Sequence, residues 1–389
     1  MKNNILFNTF LSKGIAKAEI DDFTGAILDY DMAIEINPKN AEVYCKRGLS
    51  RIELDDSEGA LDDFDKAIEI DSNSIDAYSY RGNLKSQLKD YRGTIKDFNK
   101  AIEIAKKRIE EFLNAGFERS NLGDSQGAID NFNKVIGINH SHFLAYIYRG
   151  NEKFNINDHD GALKDYNKAI EINPKDAEPY ACRGYFKYLI GDLREAIEDL
   201  DKALMIFSTD FKTIVVRAKA KLGLFDFQGA INDFGAALVI NPDETWLYSS
   251  RGKAKFNLRD FHGALSDLNK SIEFNPQNGN LYFHRGYIKF ALGDFEGAIL
   301  DDNIALTDNP IFANAYYNRG EAKFSLADYQ GAVKDFSKFL EYNPDDGEAY
   351  YFMGLAKFNL GYINPGISDL NKAKEFGYLN AQVKLKEII

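Results

Sequence analysis

The chain has 389 residues, 44% of them hydrophobic and 28% charged, so its composition excludes an intrinsically disordered protein. Its formal net charge of -12 argues against nucleic acid as a partner, because nucleic-acid binders neutralise phosphates with clustered lysines and arginines. No apolar run reaches the roughly 18 residues of a membrane span, and no export signal is evident, so we expect a cytoplasmic protein without a membrane span.

After a short extension over residues 1–6, the sequence repeats with a constant period. Glycines 34 residues apart mark this period, and only Ala218 interrupts them. Such a period indicates one supersecondary unit stacked many times, rather than several independent domains. We therefore predict eleven repeats over residues 7–380 and a capping helix over residues 381–389. The glycines are Gly14, Gly48, Gly82, Gly116, Gly150, Gly184, Gly252, Gly286, Gly320 and Gly354.

Within each repeat, apolar residues at helical spacing predict two helices joined by a tight turn. An aspartate recurs just before the second helix, where its carboxylate can accept hydrogen bonds from free backbone N–H groups. Because these acids recur in register, we interpret them as helix caps rather than catalytic residues. They are Asp22, Asp56, Asp90, Asp124, Asp158, Asp192, Asp226, Asp260, Asp294 and Asp328.

This pattern resembles the tetratricopeptide-repeat (TPR) family, whose 34-residue units carry aromatic, glycine, alanine and proline residues at fixed places. The resemblance implies an all-α fold, a right-handed α-solenoid superhelix of helix-turn-helix units. It also implies a non-catalytic protein–protein interaction scaffold that binds a peptide segment or partner helix on the concave surface of the first helices. An assembly factor of secretion or cell-envelope machinery is the alternative.

The family's groove positions are the second, fifth, sixth, ninth and twelfth to thirteenth residues of each first helix. Amide groups can bind the backbone of an extended peptide there, and aromatic rings supply apolar contact. Some of these rings could instead pack between adjacent repeats. In repeats eight to ten the expected groove residues are Trp246, Lys253, Asn280, Phe283, His284, Tyr287, Asn314, Tyr317, Asn318, Glu321 and Phe324.

The sequence disfavours one class of partner and several kinds of chemistry. One subfamily clamps the terminal carboxylate of heat-shock chaperones, but here Ser79, Leu144 and Tyr148 occupy the basic positions of that clamp, so chaperone tails are disfavoured. His140 and His142 share a loop, but no third ligand lies at metal-binding spacing. No catalytic or phosphate-binding motif is present either, so we predict no metal, no cofactor and no enzymatic activity.

Three features depart from the repeat or extend it. The repeats near Ile109 and Phe211 lack the preceding Asn-Pro, which predicts either changed curvature or a ligand-adapted segment. Asp302 replaces a core aromatic residue, and we expect it to pair with an arginine or tyrosine or to turn towards solvent. The recurrent arginines, such as Arg319, lie about 160° from the groove. We therefore expect them to bind aspartates of the second helices.

Overall fold

The computed structural model describes the backbone of residues 2–388, which form 22 α-helices and no strand. None of these helices combines the length and the apolar character needed to cross a bilayer. The helices are α1 (Lys2–Ala18), α2 (Phe23–Ile36), α3 (Ala41–Glu53), α4 (Ser57–Ile70), α5 (Ile75–Gln87), α6 (Tyr91–Asn121), α7 (Ser125–Ile138), α8 (Phe143–Asn155), α9 (His159–Ile172), α10 (Ala177–Ile190), α11 (Leu193–Ile206), α12 (Phe211–Gly223), α13 (Phe227–Ile240), α14 (Thr245–Asn257), α15 (Phe261–Phe274), α16 (Gly279–Ala291), α17 (Phe295–Asp308), α18 (Ala313–Ser325), α19 (Tyr329–Tyr342), α20 (Gly347–Asn359), α21 (Ile363–Glu375) and α22 (Leu379–Ile388).

The helices pack as consecutive pairs, which confirms the predicted all-α architecture of repeated helix pairs. The chain divides into two compact units, the amino-terminal unit (Met1–Pro174) and the carboxy-terminal unit (Lys175–Ile389). Within the amino-terminal unit α1 pairs with α2, and residues 2–6 belong to α1 rather than to a separate extension. Within the carboxy-terminal unit α20 pairs with α21, against which α22 also packs.

The helix α6 is 31 residues long because it contains the second helix of one repeat and the first helix of the next. It contacts α5 as well as α7. The segment IAKKRIEEF carries neither the asparagine nor the proline that ends the second helix of other repeats, so the hydrogen-bond ladder continues unbroken. The departure near Ile109 is thus a helix fusion. Arg108, in its middle, donates to the carbonyl of Asn73 over 2.9 Å.

The aspartate caps form as predicted at nine of the ten positions, with the carboxylate accepting from the N–H three residues later. At each of these nine sites the donor is a glycine, and a Cβ on Gly59, for example, would overlap the Asp56 carboxylate. Asp192 makes no such hydrogen bond. Glu195 stands in the glycine position of that repeat, where a Cβ would overlap the carboxylate in the geometry of the other nine caps. The prediction that Asp192 is a cap is therefore wrong.

In every repeat except that of Ala218, the first helix approaches the second through the glycine at position eight. A Cβ on Gly116 would lie 2.6 Å from Cε1 of Phe132, and one on Gly48 would lie 2.8 Å from Cε1 of Phe64. Both rings are almost completely buried. The absent side chain is what lets the two helices close onto the aromatic residue, so small and large residues alternate through the core.

The recurrent arginines form the predicted inter-helix struts. In one example, Arg285 donates from Nε and Nη2 to the two carboxylate oxygens of Asp301, at 2.8 and 2.6 Å. Its Nη1 donates to Asn269 of the preceding repeat at 2.8 Å, so the strut ties three helices together. Lys289 adds a contact of 2.9 Å to the same aspartate. The equivalent pairs are Arg47 with Asp63, Arg81 with Asp97, Arg149 with Asp165, Arg183 with Asp199, Arg217 with Asp233, Arg251 with Asp267 and Arg319 with Asp335.

Candidate peptide-binding groove

The expected groove residues lie on α14, α16 and α18, the first helices of three successive pairs in the carboxy-terminal unit. The glycine of each helix points to the second helix of its own repeat; a Cβ on Gly286 would lie 3.3 Å from the Ala298 carbonyl oxygen on α17. Residues three, four and seven apart share one side of a helix. Positions two, five, six, nine and twelve therefore share one side, centred about 100° around the helix from the glycine, which we call the groove face.

Five of the expected residues are exposed on the groove face. They present one ammonium group, one imidazole, one phenol and two carboxamides, and the side chain of Tyr287 is 45% exposed. Asn280 and Asn314 occupy the same position of successive repeats, and neither carboxamide is hydrogen-bonded within residues 2–388. These five side chains are available to a partner: Lys253, Asn280, His284, Tyr287 and Asn314.

Four aromatic members of the set are half-buried and pack within or between repeats. The ring centroid of Phe283 lies 4.6 Å from that of Phe312, and the ring of Phe324 lies 5.7 Å from that of Phe352. Tyr317 packs on a ring of α19, that of Phe339, at 5.0 Å. These rings form the floor of the groove face and have only part of their surface left for a partner.

Trp246, the fourth half-buried ring, is held from two sides. Its indole Nε1 donates to Oε1 of Glu244 at 2.7 Å, and the ammonium of Lys219 lies 4.6 Å from the ring centroid. A cation over an aromatic face is attracted by the ring's quadrupole, so Lys219 on α12 is fixed against α14. The indole N–H is therefore already engaged, and the ring contributes a platform rather than a donor.

Asn318 is only 2% exposed, which contradicts its assignment to the ligand-binding set. Its Nδ2 donates to Oδ2 of Asp302 at 2.6 Å. Asp302 is fully buried, so the expectation of an arginine or tyrosine partner, or of exposure to solvent, is also wrong. The two departures explain each other, because a carboxyl group in the aromatic position of α17 needs a buried donor and the adjacent first helix supplies an amide.

An acidic group lies at the end of the groove face formed by α18 and α20. Burial, and secondly repulsion from Glu348, raise the pKa of the half-buried Glu321 to about 7. The hydroxyl of Tyr317 is buried without a hydrogen-bond partner, and burial followed by the nearby Glu321 and Glu348 raises its pKa. Glu348 accepts from the hydroxyl of Tyr378 at 3.2 Å.

The opposite end is basic. Lys253 is exposed on α14, and its charge contributes to lowering the pKa of His284 on α16, after the larger effect of desolvation. Sequence reasoning missed Lys219 and Glu348, which extend the groove face at its two ends. They occupy positions nine and two of the flanking repeats, so the same positional rule applied one repeat further would have found them.

The residues considered for chemistry have structural explanations. His142 accepts from the Ala145 N–H through Nδ1 at 3.2 Å and thereby caps α8. Cys45 and Cys182 are free thiols, and burial raises the pKa of each to about 12, which disfavours the reactive thiolate.

Comparison with known proteins gives the family. Residues 150–189 match a family model described as a TPR repeat, and residues 41–74 and 313–346 match one described as a tetratricopeptide repeat. Together with the helix pairs repeated at 34-residue intervals, these matches identify the chain as a tetratricopeptide-repeat protein. Proteins of this family act as protein-interaction scaffolds. No curated protein matches the sequence.

Solved structures with a similar fold come from several systems. One is YrrB, described as a TPR protein with an unusual peptide-binding site. It is 23% identical to this chain, the match covers 47% of this chain and 95% of YrrB, and the TM-score is 0.43. Yeast Tom70 has 14% identity, 99% and 96% coverage, and a TM-score of 0.39. The Cut9–Hcn1 heterotetramer of the APC/C has 12% identity, 98% and 96% coverage, and a TM-score of 0.44.

Proposed function

We propose that this protein is a non-catalytic scaffold that binds an extended segment of a partner protein across α14, α16 and α18. The observation that carries the proposal is the pair of exposed carboxamides, Asn280 and Asn314, at the same position of adjacent first helices. Each carboxamide can both donate to and accept from a peptide backbone. Neighbouring helices lie about 10 Å apart, a distance that about three residues of extended chain cover, so one segment can reach both amides.

The aromatic floor supports this assignment. Tyr287 lies on α16, as Asn280 does, and its ring lies 5.4 Å from that of Phe256 on α14. An aromatic ring that is already held by a neighbour loses little freedom when a partner covers its exposed part. The groove face therefore combines fixed apolar surface with free hydrogen-bonding groups, the arrangement that recognises extended peptides.

We assign no catalytic role to the groups with shifted pKa values. Burial favours the protonated forms of both Glu321 and Tyr317. A partner's cationic group beside Glu321 would favour its ionised form, so these acids are suited to binding a basic side chain.

Site-specific photo-cross-linking tests the proposal. A photoreactive phenylalanine analogue replaces Tyr287 in one variant and Val239 in a control; Val239 is 84% exposed on the second helix α13. In extract of the source cells, we expect a discrete cross-linked protein from position 287 and none from position 239. Equal cross-linking from both positions, or none from 287, contradicts the proposal. The identity of the captured protein distinguishes a general scaffold from a factor for secretion or envelope assembly.

A further inference from the structure

The charges on the groove face are ordered along the carboxy-terminal unit. Position nine of successive first helices is Lys219 on α12, Lys253 on α14, Tyr287 on α16 and Glu321 on α18. Position nine lies beside position two of the next first helix: Lys219 lies over the ring of Trp246, and Glu348 on α20 acts on Glu321. The charge thus changes from positive to negative over three helix steps.

The basic end has no internal counterion for its exposed ammonium groups. Among residues 2–388, neither Lys219 nor Lys253 forms an ion pair, whereas Lys221 and Lys255 on the same helices bind Asp233 and Asp267. The carboxylate nearest to Trp246 is that of Glu244, and its two oxygens accept from the Trp246 indole at 2.7 Å and the Asn241 amide at 3.3 Å. Lys253 is therefore free to bind an anionic group, whereas Lys219 is held over the Trp246 ring and adds positive charge beside it.

The glutamates at the acidic end lack a cationic partner. Within the described chain Glu321 and Glu348 form no ion pair, while Lys323 and Lys357 nearby are bound to Asp335 and Asp369 at 2.8 and 2.6 Å. The Tyr317 hydroxyl is buried beside both glutamates, and burial, followed by Glu321 and Glu348, raises its pKa. A cationic donor of a ligand would therefore meet two carboxyl groups that have no internal cation.

We infer that the groove selects a protein segment carrying an acidic and a basic side chain on opposite sides of a short spacer, the acidic one binding Lys253 and the basic one binding Glu321 and Glu348. The inference rests on the proposed function. Lys253 and Glu321 are two helix steps apart, about 20 Å, which corresponds to a spacing of about six residues in an extended chain. The intervening backbone lies along Asn280, Tyr287 and Asn314.

Selection from a displayed library of random peptides, each about 12 residues long and so able to span the groove, tests this inference. Peptides enriched on the wild-type chain are expected to carry Asp or Glu and Lys or Arg about six residues apart. On Lys253→Glu the acidic preference is expected to become basic, while the preference opposite Glu321 is retained. Lys253→Gln, which keeps a polar exposed side chain, should lose the acidic preference without gaining a basic one.

Direct binding gives a second readout and separates the two proposals. Fluorescence anisotropy compares an enriched peptide with the same peptide whose acid is changed to glutamine. The changed peptide should bind the wild type about tenfold more weakly than the original, while the two peptides should bind Lys253→Gln equally well. If the enriched peptides show no charge preference, or the same preference on the wild type and on Lys253→Glu, the charge pairing is wrong and the proposed groove binding is unaffected. Absence of any enrichment, or binding unaffected by Asn280→Arg, overturns the groove together with the charge pairing.

Discussion

The amide of Asn318 on α18 donates to the carboxyl of Asp302 on α17 over 2.6 Å, with both side chains shielded from solvent. The pair retains two buried acceptor oxygens without a donor, Oδ1 of Asp302 and Oδ1 of Asn318. Burial raises the pKa of Asp302 to about 8, because it outweighs the lowering effects of Asn318 and Arg319. A proton on the carboxyl supplies a donor where the site lacks one.

This pair makes the stability of the protein depend on pH. The folded pKa of about 8 lies above the ordinary value of 3.8 for an aspartate, so the folded chain keeps a proton that the unfolded chain releases. The stabilisation is complete below the lower value and is lost as the pH rises towards the higher one. We expect the free energy of unfolding to fall by about 2 kcal/mol between pH 6 and pH 8 through this group, and Asp302→Asn to remove that fall.

Urea denaturation of the wild type and Asp302→Asn at a series of pH values measures the difference. Asp62→Asn is the matched control, since Asp62 is an exposed aspartate of an equally acidic Asp-Asp pair. The control is expected to follow the wild type. Parallel pH profiles for the wild type and Asp302→Asn would show that Asp302 does not hold a proton in the folded chain.

The arginine struts predict a stabilising substitution at Gly235. In six struts the arginine Nη1 donates a hydrogen bond to an Asp or Asn of the preceding repeat. Arg251 instead faces Gly235, where an added Cβ would lie 3.7 Å from Nη1. Gly235→Asn supplies the missing acceptor, worth about 1 kcal/mol beyond the gain in helix propensity. Thermal denaturation should therefore rank Gly235→Asn level with or above Gly235→Ala.

The comparison with Gly235→Ala isolates the hydrogen bond. Alanine has the higher helix propensity, by about 0.6 kcal/mol. If the alanine variant is the more stable by that full amount, Arg251 gains nothing from an acceptor at position 235.

The position-eight glycines differ in how closely they are approached, and this predicts unequal effects of alanine. At Gly116 a Cβ would lie 2.6 Å from Phe132, whereas at Gly252 the nearest atom, the Ala264 carbonyl oxygen, is 3.3 Å away. We expect Gly116→Ala to lower the free energy of unfolding by about 2–3 kcal/mol through overpacking and Gly252→Ala to lower it by less than about 1 kcal/mol. Equal losses in chemical denaturation would show that the glycine's contact with the ring does not set the cost.

The repeat period predicts much of this structure because each position recurs in the same environment. Helix pairs, caps and the bond from Arg319 to Asp335 follow from it, since one physical explanation serves every repeat. The failures are local exceptions. Asp192 makes no cap bond, and Glu195 replaces the glycine found at the other nine sites, a difference whose effect depends on the cap geometry.

The groove residues could be predicted less completely, because the position of a residue in the repeat does not show which neighbouring side chains it packs against. Asn318 occupies a groove position but turns inward to Asp302, since an unpaired carboxyl group in the core would cost more than an unoccupied groove position. Tyr317 likewise packs on the rings of α19. A double substitution of Tyr317 and Asn318 would therefore disturb the core, and the exposed amides are the better residues with which to test binding.

The decisive measurement for the groove is the affinity of the partner segment for variants of the protein that are substituted on their first helices. The probe is the segment captured through position 287, and its affinity is measured for the wild type, for Asn280→Arg with Asn314→Arg, and for Val239→Arg on the exposed side of α13. We expect at least a tenfold loss, about 1.4 kcal/mol, for the double variant, with unchanged helical content, and wild-type affinity for the Val239 variant. Wild-type affinity in the double variant would place the binding site outside the groove and contradict the account.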